Sequence, residues 1–326
     1  MLTFDENFFL EEEREGFVIS GMMKRAWAAQ LEILDEIRRV CAKLQIPYFA
    51  DWGTMLGAVR HKGYIPWDDD LDIGMLREDY LRFLREAPEV LDSWYELKSV
   101  YNDPTDDIVK ARVINGRHMN FDRAFLEKFH HCPYVVGVDI FPVDSIPEDP
   151  ETLNQLVDSL KFLLKIEASI PEEGPYDPDV LSLMKQVEET FGHPIDYRNR
   201  LRHEIKKIFD LVSATYAQEE TSEVSCMMAL AAGWDWYHCD RTWYESFLSM
   251  PFENTTIPVP VGYDGILRCN YGEDYMTPKQ VGSSHDYPFY KEQMQGLKEV
   301  MEQEFQTTLT DEMMEMLIEA KVFGEG

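Results

Sequence analysis

Residues 47–76 read PYFADWGTMLGAVRHKGYIPWDDDLDIGML, and the order of residue types in this stretch decides the fold class. Asp68, Asp69, Asp70 and Asp72 stand together, set among the apolar side chains of Ile65, Trp67, Leu71 and Ile73. Acids are rarely placed in an apolar run unless something positive compensates them. Asp70-Leu71-Asp72-Ile73 alternates acid with apolar residue, the pattern of a half-buried strand. On such a strand Asp70 and Asp72 project from one face, roughly 6.5–7 Å apart along the chain. Two like charges that close call for a cation between them, or for one to give up its ionisation. Hard divalent ions take oxygen ligands, so Mg²⁺ or Mn²⁺ is the expected partner.

Upstream, Tyr48-Phe49-Ala50 reads as a short strand and Met55 to His61 as a short helix, with Gly53-Thr54 between them. A strand that breaks at glycine and opens a helix aims free backbone N–H groups at one point, an arrangement suited to phosphate. Gly53 and Thr54 are therefore candidate donor-phosphate ligands. A phosphate cradle followed by a carboxylate pair suits a metal-bound nucleotide. Other readings fit less well. A calcium loop starting at Asp68 needs Gly at 73 and Glu at 79, where the chain has Ile73 and Asp79. A nucleotide-sugar glycosyltransferase also uses an acid-x-acid pair. An aspartyl-phosphate phosphatase would want Thr or Val soon after Asp72, where Gly74 and Met75 follow.

The run GTMLGAVRHKGYIPWDDDLDIGMLREDY (53–80) resembles the signature of the LicD family, which includes bacterial phosphocholine transferases and fukutin-type ribitol-phosphate transferases. The resemblance continues in Gly137-Val138-Asp139-Ile140-Phe141-Pro142-Val143-Asp144. It returns in Pro258-Val259-Pro260, Leu267 and Tyr271 to Pro278, so that it spans about residues 30–280. Trp52 departs from it, because family members often carry a small residue there. The resemblance implies an α/β, nucleotidyltransferase-like fold of the polymerase-beta type. In that fold a Gly-Thr turn holds phosphate, an acid-x-acid pair holds metal, and a later strand adds a third acid. Carried over, these are Gly53-Thr54, Asp70 with Asp72, and Asp139. The residues themselves agree on the last: Tyr134 to Phe141 is an apolar run of strand length with one charge in it, which is costly unless neutralised. Asp144, after Pro142 and before Ser145, sits in a loop or helix-cap context and is the lesser candidate.

The net charge of −30 excludes a nucleic acid polymer as partner and disfavours an anionic membrane surface. A nucleotide remains acceptable if metal and local cations offset its phosphates. Arg60 in the motif block and Lys110, on an expected strand from Ile108 to Ile114, are the candidate phosphate neighbours; the competing reading pairs each with the abundant surface acids. No apolar stretch approaches the ~20 residues of a membrane span. Met1 leads into acids rather than a basic and then apolar leader, so a cytoplasmic location is expected. The 5 cysteines are odd in number and lack C-x-x-C spacing, so reduced thiols are expected. His130-His131-Cys132 and His238-Cys239 lie too far apart in sequence to read as a zinc site.

Trp27, Leu31, Leu34, Ile37, Cys41 and Leu44 recur at helical spacing and predict a helix over 20–45, ended by Pro47. Short alternating elements from 48 to 141 predict a mixed-sheet core. The organisation expected is a catalytic core from 20–145 plus 240–290, a mostly helical insertion over 150–235 on the acceptor side, and C-terminal helices over 290–326. A hairpin is expected at Glu253-Asn254. Trp234, Trp236, Tyr237 and Trp243 form an aromatic group that could hold a quaternary ammonium by cation–π attraction, or could be ordinary packing. Trp52 and Trp67, inside the motif block, are the better candidates for reading a substrate's alcohol group.

Together these point to a Mg²⁺-dependent (or Mn²⁺-dependent) transferase moving a phospho-alcohol group, phosphocholine first, from a CDP-linked donor to a sugar or glycan acceptor such as lipopolysaccharide or teichoic acid. Asp70, Asp72 and Asp139 would be the metal and catalytic acids, with Asp69 a candidate base, its competing reading being a solvent-exposed loop acid. The alternatives are a nucleotidyltransferase that places NMP on a small molecule, and a non-catalytic relative that binds nucleotide or glycan.

Overall fold

The computed structural model describes residues 1–105, 109–280 and 287–324. An antiparallel hairpin, β1 (Glu12–Arg14) with β2 (Phe17–Ile19), leads into α1 (Gly21–Leu44). Ser20 caps α1 by accepting from the Met23 N–H, and Gln45, in the left-handed region, ends it. The apolar stripe predicted for this helix is its buried face, from Trp27 to Cys41.

The motif block follows as β3 (Phe49–Ala50), α2 (Trp52–Arg60), β4 (Asp72–Leu76) and α3 (Arg77–Glu86). Then come β5 (Glu96–Lys98), β6 (Ala111–Ile114), α4 (Arg123–Lys128) and β7 (Gly137–Ser145). Among the described residues these strands form a mixed sheet in the order β3-β4-β7-β6-β5. β7 runs parallel to β4 and antiparallel to β6, so the fold is α/β with a mixed sheet. β4 and β7 are central, and apart from their functional acids they carry apolar side chains such as Ile73, Val138 and Ile140, all fully buried.

A helical region packs beside the sheet: α5 (Pro150–Ser169), α6 (Pro178–Phe191) and α7 (Leu201–Ser213). It has its own buried apolar cluster, including Leu160, Leu163, Met184, Ile205 and Phe209. β8 (Glu223–Ser225), α8 (Met227–Ala231) and β9 (Cys239–Asp240) return the chain to the sheet, with β8 pairing the far end of β7. The predicted hairpin is β10 (Phe247–Phe252) with β11 (Thr255–Pro260), turning at Glu253-Asn254. The chain closes with α9 (Tyr263–Tyr271), α10 (Lys291–Phe305) and α11 (Asp311–Phe323).

Several boundaries differ from the sequence reading, each for a local reason. α2 begins at Trp52 rather than Met55, because Asp51 caps it by accepting from the Trp52 N–H; Gly53 and Thr54 are its first turn, not a turn before it. β4 begins at Asp72, so Asp70 lies just ahead of the strand. β6 covers Ala111–Ile114, and Ile108 lies outside the described residues. β7 runs on to Ser145, because its last residues pair with β8. Asp144 is thus a buried sheet residue and not a loop acid: Arg77 Nε donates to its Oδ1 at 2.5 Å. The same guanidinium reaches Asp210 of α7 at 2.8 Å, joining sheet and helical region through a buried ionic group. No helix among the described residues is long and apolar enough to cross a membrane.

Candidate active site

The first turn of α2 is riveted to the start of β4. The Asp51 N–H donates to the Asp72 carbonyl at 3.1 Å, and the Asp72 N–H donates to Thr54 Oγ1 at 2.8 Å. Thr54 therefore positions Asp72 from the helix, a role beyond the phosphate contact expected of it. Gly53 leaves room above its Cα: an added Cβ there would stand 2.5 Å from Asp68 Oδ2. A carboxylate oxygen thus already rests where close backbone approach is possible. The space opens into a cavity of about 270 Å³ lined by Leu56, Arg60, Trp67, Asp68, Tyr271 and Tyr275. Its walls come from the motif block and from the C-terminal run at 271–278.

The parallel register sets Asp72 directly beside Asp139. Both are buried. Burial, and after it the charges of Asp70 and Asp139, pushes the Asp72 carboxyl well above its ordinary range, with Lys110 opposing. Asp72 Oδ1 is buried without a hydrogen-bond partner. Asp139 is the opposite case. Burial works against its ionisation, but Arg112 and Lys110 both bond to it and hold it below the ordinary range. Asp68 is raised by burial and by Asp70, with which it shares a hydrogen bond. The fold thus collects Asp68, Asp70, Asp72 and Asp139 in one region. Among the described residues, however, no three His, Cys, Asp or Glu side chains stand as a ready-made metal group. The partnerless Asp72 Oδ1 and the hard oxygen donors around it do fit a divalent cation.

The remaining predicted residues divide. Lys110 bonds to Asp139 and sits 4.8 Å from the centre of the Phe141 ring. Among the described residues Arg60 makes no ion pair with a surface acid: its Nη1 donates to the Tyr275 carbonyl at 2.7 Å and so ties the cavity's two walls together. Trp67 lines the cavity. Trp52 instead stacks on Tyr237 at 5.4 Å and meets Phe141 and Trp234 edge-on, each at 5.9 Å. Its backbone φ of 43° is unusual for a bulky residue and marks strain that this packing must hold. Trp236 stacks on Trp234, whereas Trp243 lies apart, packed on Gly262 and Gly265. Asp69 is not the exposed loop acid that its competing reading described. It is buried, and its Oδ2 accepts from the Phe289 N–H at 2.6 Å, anchoring the C-terminal segment.

Sequence reasoning missed Asp51 and Tyr271 as site residues, and it favoured Lys110 over Arg112 on the same expected strand. Asp51 reads as an ordinary helix cap, yet burial pushes its carboxyl up to about 7, with the Trp52 N–H opposing. Arg112 lies directly opposite Asp139 across β6–β7. Its signal was the Lys110-Ala111-Arg112 alternation, which puts both cations on one strand face. Tyr271 is raised by burial and by the surrounding acids, Asp68 first. Nothing in its helix pattern distinguishes it from packing.

Residues 45–152 match the model of the family described as LicD/FKTN/FKRP, nucleotidyltransferase domain. Those residues hold β3, α2, β4 and all of β7, and with them the whole acid group. Over that stretch the chain carries a LicD-type domain. Among relatives, the lipopolysaccharide cholinephosphotransferase LicD of Haemophilus influenzae is 27% identical over 252 residues, covering 76% of this chain and 88% of that protein. An uncharacterized protein of Rickettsia typhi is 31% identical over 169 residues, 51% of this chain and 48% of its own length. A second one, of Rickettsia prowazekii, is 38% identical over 79 residues, 24% of this chain and 29% of its own length.

Proposed function

We propose that this chain is a cation-dependent transferase that moves phosphocholine from a CDP-linked donor to a glycan acceptor, on a nucleotidyltransferase-like fold. One observation carries the reading: Asp72, buried with a partnerless oxygen, stands beside Asp139 at the first turn of a helix. Such a pair is unstable alone and is stabilised by a positive charge. The relative's name supplies the transferred group and the kind of acceptor.

In this reading Asp70, Asp72 and Asp139 would hold Mg²⁺ or Mn²⁺. When bound, such an ion neutralises the charge that builds on the leaving phosphate. The chain's own residues do the rest. Gly53 lets the donor diphosphate approach the α2 N-terminus, where the helix dipole and backbone N–H groups favour it. Arg60 holds the cavity wall against the motif block, and Lys110 supplies a cation on the sheet side. Trp234, backed by Trp52 and Tyr237, offers a π face to a quaternary ammonium, which has no N–H to donate. Asp68 is the half-buried acid left to accept a proton from the acceptor hydroxyl. Asp69 is engaged elsewhere.

The test is incubation of the purified chain with Mg²⁺ and CDP-choline, CDP-ethanolamine, CDP-glycerol or CDP-ribitol, each with a glycan acceptor. CMP released from CDP-choline, with choline phosphate on the acceptor, is the expected result. Release from CDP-glycerol or CDP-ribitol alone would discard choline and keep the transferase. Pyrophosphate released from a nucleoside triphosphate would favour NMP transfer instead.

A further inference from the structure

Asp139 is gripped from β6 by two cations at once. Arg112 Nε and Nη2 form a fork on its two oxygens, the second at 2.8 Å, and Lys110 bonds to Oδ2 as well. Asp72, its neighbour across β4–β7, has nothing on Oδ1. The asymmetry is built in by the chain. Asp139 and Arg112 are opposed in register, and Lys110 follows on the same face two positions away. Gly137, two residues before Asp139, makes room for the arginine: an added Cβ there would lie 2.7 Å from Arg112 Cδ and 2.8 Å from its Cγ. The motif glycine therefore lets the arginine stem lie flat across β7 and aims the guanidinium at the acid. The Arg112 side chain is 42% exposed, so its fork is reachable from solvent, while Asp139 is 5% exposed.

We propose that Arg112, with Lys110, is a clamp that occupies Asp139 while the site is empty and passes to the donor diphosphate when cation and donor enter together. The inference rests on the metal-dependent reading above. A guanidinium fork fits a carboxylate and a phosphate equally well, so the exchange costs little geometry. Charge gives the direction. The empty site sets two cations against the carboxylates of Asp68, Asp70, Asp72 and Asp139. A divalent ion alone must compete with the clamp for Asp139. Arriving with a diphosphate, it offers the displaced arginine and lysine a new anionic partner. Ion and donor thus tighten one another, and a free ion held without donor is disfavoured. The clamp also accounts for the lack of a ready-made ligand group among the described residues. Arg112 thus holds Asp139 in the empty site and the donor diphosphate in the loaded one.

The experiment measures Mn²⁺ binding to the full-length chain by titration calorimetry or electron paramagnetic resonance, without donor and then with CDP-choline. Arg112→Gln should bind Mn²⁺ alone more tightly than the parent chain, by roughly tenfold, or about 1.4 kcal/mol. It should also lose most of the mutual tightening between Mn²⁺ and CDP-choline. Gly137→Ala, which displaces the arginine stem without removing its charge, should shift both quantities the same way and serves if the first variant folds poorly. Equal or weaker Mn²⁺ binding by the variants overturns the clamp and leaves the metal-dependent reading intact. Absence of saturable Mn²⁺ binding in parent and variants alike overturns both.

Discussion

At the scale of the residue, the site is a study in acids with different fates. Asp72, raised and partnerless, is the one whose charge calls for company. Replacing it with Asn should cut transfer by on the order of 10²-fold or more, as loss of one preorganised electrostatic group does. The ligand-free melting temperature should hold or rise, because a like charge leaves a crowded group. A clear fall in melting temperature would make the acid structural instead. Asp51 allows a sharper test, since burial raises its carboxyl to about 7 from an ordinary 3.8. A carboxyl raised on folding is bound to its proton in the folded state while the unfolded chain has lost it. Its contribution is therefore complete below pH ~4 and is lost as pH rises to about 7, after which it is level. Asp51→Asn keeps the cap oxygen that accepts from the Trp52 N–H. Chemical denaturation from pH 4 to 8 should show the parent losing stability relative to this variant across that window; parallel curves would refute the assignment. The charged cluster itself was legible in the sequence, because acids beside apolar residues are conspicuous. Which acid is spent on what was not. The partners of Asp69 and Asp139, namely Phe289, Lys110 and Arg112, come from distant segments that no local pattern links to them.

Elements carry the next level. α1, the 247–260 hairpin and both C-terminal helices were readable from period and turn residues, because each buries one face or turns at one dipeptide. The start of α2 was misread because Gly53 looked like a break; the cap chemistry of Asp51 decides instead, and Trp52 accepts a left-handed φ to enter the helix. β7 was cut short because Pro142 reads as an interruption, yet it lies within a strand that gains β8 as a late partner. That extension makes Asp144 structural. Arg77 of α3, Asp144 of β7 and Asp210 of α7 form one buried ionic group, and Tyr101 Oη donates to Asp210 Oδ2 at 2.6 Å. Removing the lone cation strands two buried acids, a change that costs on the order of 3–5 kcal/mol. Arg77→Met should therefore lower the denaturation free energy by about that amount. Hydrogen exchange should then quicken first in α5 and α7, which pack most closely together in the helical region. Uniform quickening across α1 and β4 would mean the group does not join the two parts. Gly53→Val tests an element terminus rather than a core. Its side chain would meet the Asp68 carboxylate, and the donor KM should rise severalfold while the melting temperature changes little. An unchanged KM in the folded variant would remove the α2 N-terminus from donor binding.

For the molecule as a whole, the informative event is what folding brings together from far apart. Trp52, Phe141, Trp234 and Tyr237 come from α2, from β7 and from the segment between α8 and β9, and they form one aromatic wall. The sequence offered Trp52 and the later group as separate candidates and could not join them, because contact between such distant positions is set by the sheet order and not by any spacing. It also placed Trp243 with the others, while the fold packs that side chain on Gly262 and Gly265 at the start of α9. Trp67 lines the cavity while Trp52 belongs to this wall, so the two predicted alcohol-reading tryptophans have different surroundings. Trp234 is 40% exposed, with Trp52 edge-on to it and Trp236 stacked on it, so it is the ring of this wall that reaches solvent and can meet a substrate. If the donor carries choline, its quaternary ammonium should lie on that face. Trp234→Leu keeps the apolar bulk and removes the quadrupole, and the loss should be about one cation–π contact, 0.5–2 kcal/mol. The preference for CDP-choline over CDP-ethanolamine, read as a ratio of kcat/KM, should then shrink by a factor of roughly 2–30. Trp67→Leu should leave that ratio unchanged while altering the shape of the cavity beside Gly53. The opposite pattern, with Trp67 setting the ratio and Trp234 indifferent, would move the alcohol group into the cavity and make the wall a brace for the strained backbone at Trp52.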